Sequence, residues 1–256
     1  MKVVTNASDL PSACAFIPTM GALHAGHASL FSIGKKYSHD VVASIFVNPL
    51  QFESSDDLAQ YPRTPDRDIE IAEQSGVTHL WLPKVEEIYP DGFTKKSAGS
   101  IGDIYEGKSR PGHFDGVLTV VSRLFQLVKP KVAIFGEKDF QQLQLIKTIA
   151  GDVEIIAAPT IRESDGLALS SRNTRLTSDG RAAAKIIYKA LSQSKTEDQL
   201  RTALATESAF TLDYADFIDE NTFEHAQSDT RNVRAIVAGW INGVRLIDNM
   251  PMGARA

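Results

Sequence analysis

Through its first two thirds this chain alternates short apolar runs with longer amphipathic ones, and that alternation constrains the fold more than any other feature. Runs at 14–18, 41–47, 79–82, 132–135 and 153–157 read as buried strands. Between them, 28–36, 66–74, 118–128 and 140–149 read as helices; in the third, Leu118, Val121, Leu124, Phe125 and Val128 recur at helical spacing. Strands separated by helices pair in parallel and are covered on both faces, and right-handed crossovers make such a sheet Rossmann-like. The pattern changes near 159–165. Helix-like segments at 181–192 and 198–207 are followed by strand-like runs at 212–218, 233–240 and 244–247. The last two runs are separated by a stretch containing Asn242-Gly243, a hairpin signal. The expected fold is α/β: a Rossmann-like parallel sheet over 1–162, then a second, smaller α+β C-terminal domain over 163–256.

Charge and composition narrow the function. Twenty-seven basic against 32 acidic side chains give a net charge of -5, which argues against a broad nucleic-acid face but not against a pocket for one nucleotide. Cys14 is the single cysteine and sits in an apolar run, so it reads as a buried small hydrophobe, and no internal disulfide can form. No run is long enough for a membrane span or a signal-peptide core, and a cytoplasmic location is expected.

The residues with chemical potential cluster where strands should end. Pro18 to His27 reads PTMGALHAGH and follows the first strong strand. In open α/β sheets that edge binds ligands, and a helix starting near Gly26 would offer amide N–H groups and a positive dipole end to phosphate. Gly21 and Gly26 let a nucleotide approach the backbone. His24 and His27, one helical turn apart, could donate to phosphate oxygens as charge builds there; zinc binding would need further ligands that no HExxH or paired-cysteine pattern supplies. Gly136-Glu137-Lys138-Asp139 follows the strand at 132–135 and opens a helix, so Lys138 could neutralise phosphate and Asp139 hold ribose, metal or Lys138 itself. Leu169-Ser170-Ser171-Arg172 is a polar loop suited to a triphosphate tail. Gln51, past the second strand, is a neutral donor and acceptor suited to a hydroxyl or carboxylate. Read singly, each of these is equally a packed histidine, a solvated helix start or a surface turn.

One motif misleads. Gly102 to Ser109 matches the phosphate-loop pattern GxxxxGK[ST] letter for letter. That loop needs a buried strand before it and a helix at the lysine. Here polar Lys95 to Ser100 precedes it, Pro111-Gly112 follows at once, and Asp103 and Glu106 would set carboxylates in the cradle.

Taken in order, PTMGALHAGH, VNPLQF, YPRT, EGKSRPGHF, GEKDFQQL, LALSSRN and RLIDNM resemble the pantoate–β-alanine ligase family of the HIGH-type nucleotidyltransferase superfamily, over nearly the whole chain. The resemblance implies an ATP-dependent ligase that joins pantoate to β-alanine through a pantoyl adenylate, releasing AMP and pyrophosphate. It implies ATP accompanied by Mg2+ held mainly by phosphates and water, no protein metal site, a C-terminal domain acting as a mobile lid, and a homodimer. Carried over by position, Met20, Gly21, Ala22, Leu23, His24, Ala25, Gly26 and His27 would line ATP, with Gly136, Glu137, Lys138, Asp139, Ile161, Leu169, Ser170, Ser171 and Arg172. His27, His24, Lys138 and Arg172 would be catalytic, Gln51 and Gln142 would grip pantoate, and Gln51 would also meet β-alanine. Arg110 and Tyr61 would be secondary contacts. Leu169 replaces a common Met, and Asp115 stands where the family is often basic. An adenylyltransferase of the same superfamily and a non-catalytic nucleotide sensor are the competing readings; the two glutamines argue against the first, intact His24, His27 and Lys138 against the second.

Overall fold

The computed structural model describes residues 1–253; residues 254–256, the end of the expected second domain, lie outside the described residues. Two compact units emerge. The first comprises Met1–Glu137 and Gln141–Pro159; the second takes Lys138–Phe140 and the chain from Thr160 onward. The expected change of domain at 162/163 falls within the first residues of the second unit.

The first unit is a parallel sheet. Its strands are β1 (Lys2–Val4), β2 (Ala15–Thr19), β3 (Val41–Ile45), β4 (His79–Trp81), β5 (Val132–Gly136) and β6 (Glu154–Ala158), in the order β1-β4-β3-β2-β5-β6. Every pair is parallel. All five expected strand runs therefore form strands; β1 carries no comparable signal because it is a short, largely exposed edge strand. Helices α1 (Ala25–Gly34), α2 (Pro65–Gln74), α3 (His113–Val128) and α4 (Phe140–Thr148) follow. Ala15, Ile17, Val41, Ala43, Leu80, Val132 and Ile134 share one buried cluster with Phe31 of α1 and Ala72 of α2. Phe125 of α3 meets Phe16 and Phe135 edge to face at 6.5 and 6.4 Å. Strand order reverses between β2 and β5, whose register pairs Ala15 with Val132. The crevice at the carboxyl ends of those two strands is the topological switch point, where such sheets bind ligands.

Two helix starts in the first unit differ from expectation by three residues or more. Helix α1 opens at Ala25 rather than 28, because His24 caps it. Helix α3 opens at His113 rather than 118; its first turn carries His113, Asp115 and Gly116, which hide the apolar period although His113 and Phe114 are buried.

The second unit holds an antiparallel sheet, β7 (Thr211–Asp219), β8 (Val233–Ile241) and β9 (Val244–Pro251), in that order. Helices α5 (Ser178–Gln193) and α6 (Glu197–Leu204) bury Ile187, Leu191, Leu200 and Leu204 against Phe217, Val237 and Leu246. Asn242 (φ 50°) and Gly243 (φ 73°) make the β8–β9 turn, the left-handed pair that a two-residue hairpin needs. Residues 138–140 are strapped into this unit. Phe140 stacks on Phe223 with centroids 5.6 Å apart, the Arg234 guanidinium lies 3.9 Å from the Phe140 centroid, and the Asn249 amide donates to the Lys138 carbonyl at 2.9 Å. Among the described residues, no helix is long and apolar enough to cross a membrane.

Candidate active site

The loop between β2 and α1 is built around one buried carboxylate. Gly21 (φ 85°) and Ala22 (φ 49°) are both left-handed, which turns successive backbone N–H groups the same way. Asp68 of α2, 2% exposed, fills that concavity: its carboxylate accepts from Ala22 N–H at 3.0 Å, Leu23 N–H at 2.7 Å and the Thr64 hydroxyl at 2.9 Å. A methyl group on Gly21 would meet Asp68 Oδ2 at 2.9 Å, so glycine is required twice over, by space and by φ.

The loop delivers two histidines. They do not sit on one helical face as their spacing suggests. His24 is the N-cap, with extended backbone (φ -145°), and its Nδ1 accepts from Gly26 N–H at 3.1 Å. His27, on the first turn, accepts the His24 N–H through its own Nδ1 at 3.3 Å, and the rings lie 4.2 Å apart. The Gly26 N–H expected to await a ligand is thus already taken. Because a backbone N–H can only donate, both Nδ1 atoms are acceptors, and a neutral imidazole at either position carries its proton on Nε2. The helix start therefore presents imidazole donors with fixed tautomers.

Gln51 lies on a short 3-10 turn, Pro49–Gln51, past β3. It is 8% exposed; its Oε1 accepts from Asn48 Nδ2 at 3.0 Å and its Nε2 reaches Met20 Sδ at 3.0 Å. Its carbonyl is contacted by His113 Nδ1 at 2.9 Å and accepts from Arg110 at 3.4 Å, so Arg110 acts on the backbone of Gln51. Tyr61 packs edge-on against Phe52 at 5.6 Å. Gln142 is half-buried on the first turn of α4, while its neighbour Gln141 is buried and binds Ile101 O at 2.7 Å, Ile104 O at 2.8 Å and Glu106 N–H at 3.1 Å. Asp115 accepts Ala98 N–H at 2.7 Å, tying down the adjoining loop.

Gly102 to Ser109 is no phosphate loop. It forms a 3-10 turn and a four-residue helix, Glu106–Ser109, with no strand before them. A methyl group on Gly107 would sit 1.6 Å from the Gly102 carbonyl, so those glycines serve chain packing. Lys108 is exposed.

The other expected residues belong to the second unit. Lys138, Ser170, Arg172, Asn173, Arg245 and Asp248 line one open pocket there. Lys138 Nζ is 3.5 Å from Asp139 Oδ1. Ser170 caps a 3-10 turn, Ser171–Arg175, accepting from Arg172 N–H at 3.3 Å, and Asn173 Nδ2 ties that turn to Ala168 O at 3.0 Å. Ile161 accepts Leu169 N–H through its carbonyl at 2.9 Å, and Arg162 grips Asp248 with two bonds of 2.5 and 2.9 Å. So the expected residues divide: Met20 to His27, Gln51, Gly136, Glu137 and Gln142 in the first unit; Lys138, Asp139, Ile161 and Leu169 to Arg172 in the second. The sequence assigns Asn48, Asp68 and Gln141 no role. The residue a short polar stretch buries is not marked by pattern, although Asn48 immediately before Pro49 is a readable turn signal.

A parallel sheet with a histidine-capped helix at its switch point defines an α/β protein of the nucleotide-binding class. The family model described as Pantoate-beta-alanine ligase matches residues 2–251. The pantothenate synthetase of Acidothermus cellulolyticus is 47% identical, over 93% of this chain and 85% of that protein. The pantoate–β-alanine ligase of Schizosaccharomyces pombe is 44% identical, over 92% of this chain and 90% of that protein. The crystal structure of pantothenate synthetase from Thermus thermophilus superposes with a TM-score of 0.94 at 39% identity, covering 99% of this chain and 100% of that one. That of the pantoate–β-alanine ligase from Francisella tularensis, described as complexed with beta-gamma ATP and beta-alanine, gives 0.84 at 38%, covering 98% of each chain. The chain belongs to the pantoate–β-alanine ligase family.

Proposed function

We propose that this protein is an ATP-dependent ligase that condenses pantoate with β-alanine to pantothenate. A carboxylate oxygen of pantoate attacks the α-phosphorus of ATP and the bond to pyrophosphate breaks, giving pantoyl adenylate. The β-alanine amine then attacks the acyl carbon, AMP departs with the bonding pair, and the amine nitrogen loses a proton. The observation that carries this reading is the histidine pair at the start of α1: each Nδ1 accepts a backbone N–H, so a neutral ring carries its proton on Nε2, a donor of the kind suited to oxygens gaining negative charge.

In this reading Met20 to His27, Gly136, Glu137, Lys138, Asp139, Ile161 and Leu169 to Arg172 bind ATP. His24, His27, Lys138 and Arg172 stabilise the phosphate charge, and Gln51 and Gln142 grip pantoate, Gln51 also meeting β-alanine. The Francisella relative's description supports ATP and β-alanine as ligands. Magnesium would enter with the nucleotide and lower the effective charge of its phosphates. The loop carries imidazoles, which suit anions, and the Asp68 carboxylate is committed to Ala22, Leu23 and Thr64. The metal would be held mainly by phosphates and water. Among the described residues, the one cluster of metal-ligand type is Glu197, Asp216 and His225 in the second unit, where Arg201 already pairs with both carboxylates. A homodimer located in the cytoplasm completes the proposal.

Phosphorus NMR of a reaction containing ATP, pantoate and β-alanine tests it. AMP and pyrophosphate should appear together with pantothenate; ADP and phosphate in their place would overturn the adenylate route.

A further inference from the structure

The amide of Asn48 is oriented by groups whose polarity cannot change. Leu50 N–H can only donate and lies 3.2 Å from one end, which must be Oδ1; the Gly116 carbonyl can only accept and lies 3.1 Å from the other, which must be Nδ2. Nδ2 also donates to Gln51 at 3.0 Å, so that atom of Gln51 is Oε1 and its outer end is NH2. That NH2 reaches Met20 Sδ at 3.0 Å, a weak acceptor that a substrate oxygen could replace, so toward a ligand Gln51 would act as a donor. One more group completes the chain: the hydroxyl of Tyr89, 2.6 Å from Asn48 Oδ1, has to donate because that oxygen already faces an N–H.

Tyr89 is the C-cap of a short helix, Val85–Ile88, and its ring is wedged between Phe93 (centroids 4.7 Å apart) and Phe46 (6.1 Å). Burial holds its phenol above the ordinary range, so the proton it donates is present throughout neutral and mildly alkaline pH. Its hydroxyl gives Asn48 Oδ1 a second donor, and each bond in such a chain polarises the next.

We propose that Tyr89 is a positioning residue for the hydroxy acid: through Asn48 it locks the Gln51 amide with its NH2 toward the substrate, so that this subsite accepts an oxygen acceptor and rejects a donor. The inference rests on the reading that Gln51 binds pantoate. Tyr89 itself touches no reacting atom.

The test compares Tyr89→Phe, Gln51→Ala, the double variant and Phe93→Leu, using the dissociation constant of pantoate by calorimetry, the KM values for pantoate and ATP, and thermal midpoints. Tyr89→Phe keeps the ring and should weaken pantoate binding about three- to ten-fold, the range of one neutral hydrogen bond, with the KM for ATP and the midpoint unchanged. Phe93→Leu, which loosens the ring but keeps the hydroxyl, should leave pantoate binding intact. In the Gln51→Ala background the Tyr89 effect should vanish. A Tyr89→Phe effect that persists there, that falls equally on ATP, or that is absent while Gln51→Ala weakens pantoate would overturn the proposal and leave the Gln51 reading standing. Undiminished pantoate binding in Gln51→Ala would overturn both.

Discussion

Asp68 accepts the backbone N–H of Leu23 at 2.7 Å, a side chain on one helix holding the main chain that leads into another. The same carboxylate takes Ala22 N–H, so the protein supplies its own anion to the concavity before His24. Asp68→Asn keeps the volume but replaces one acceptor oxygen by an NH2, which must face an N–H of the loop or Thr64. Stability should fall by about 1–3 kcal/mol, the cost of an unsatisfied buried group, and kcat should drop about ten-fold or more. Urea unfolding with steady-state kinetics measures both; wild-type turnover in the variant would show that the loop holds its shape unaided.

His27→Ala should lower kcat by about 100- to 1000-fold, as when one preorganised donor is removed, while ATP affinity changes far less. Single-turnover pyrophosphate release against ATP binding by calorimetry separates the two. An unchanged kcat in a folded protein would remove His27 from the chemistry.

Lys138 and Lys108 are the two candidate phosphate lysines. Lys138 lines a pocket with Ser170 and Arg172, and its carbonyl is held by Asn249, whereas Lys108 is exposed on a four-residue helix. Lys138→Ala should cripple adenylate formation; Lys108→Ala should stay within about two-fold of wild type, as most exposed charges do. The opposite ranking would reopen the phosphate-loop reading of 102–109.

Gly116 is where α3 passes the turn carrying Gln51. A methyl group there would lie 2.3 Å from the Leu50 carbonyl and 2.8 Å from Gln51 N, both backbone. Gly116→Ala should therefore cost about 1–3 kcal/mol, as overpacking does, and raise the KM for pantoate more than that for ATP. Equal effects on both substrates would mean that the displacement is not local to Gln51.

Cys14 is fully buried and its thiol is pushed up to about 12, chiefly by desolvation, with Asp40 adding to the rise and a backbone hydrogen bond opposing it. The thiolate is the reactive form, so Ellman's reagent at pH 8 should label the native protein only after denaturant is added. Because the folded value lies above the ordinary 9.0, this group's stabilisation is complete below pH 9 and is lost as pH rises toward 12. Rapid native labelling would show that the sheet opens at the start of β2.

The sheet is legible because a buried parallel strand is apolar throughout: 132–135 and 41–47 give β5 and β3 to within a residue or two. The hairpin is legible because Asn242-Gly243 is local chemistry. Helix α1 begins earlier than its apolar period suggests because its start depends on His24 acting as a cap, which periodicity cannot register. The side chains that brace the candidate site are illegible for a related reason: Asp68 lies 46 residues from Ala22 and Tyr89 lies 41 from Asn48, and no local pattern encodes such a pairing. The division of the polypeptide hides Lys138 in the same way, since it stands two residues past β5 of the first unit yet groups with the second.

That last arrangement bears on how a gene for such a chain can be cut. Splitting it at Pro159 would give a fragment whose Phe140 has lost Phe223 and Arg234, and another whose Arg234 and Phe223 have no ring to cover. Neither fragment then holds the whole second unit, because residues 138–140 stay with the first. Swapping second units between relatives should succeed only when residues 138–140 travel with them.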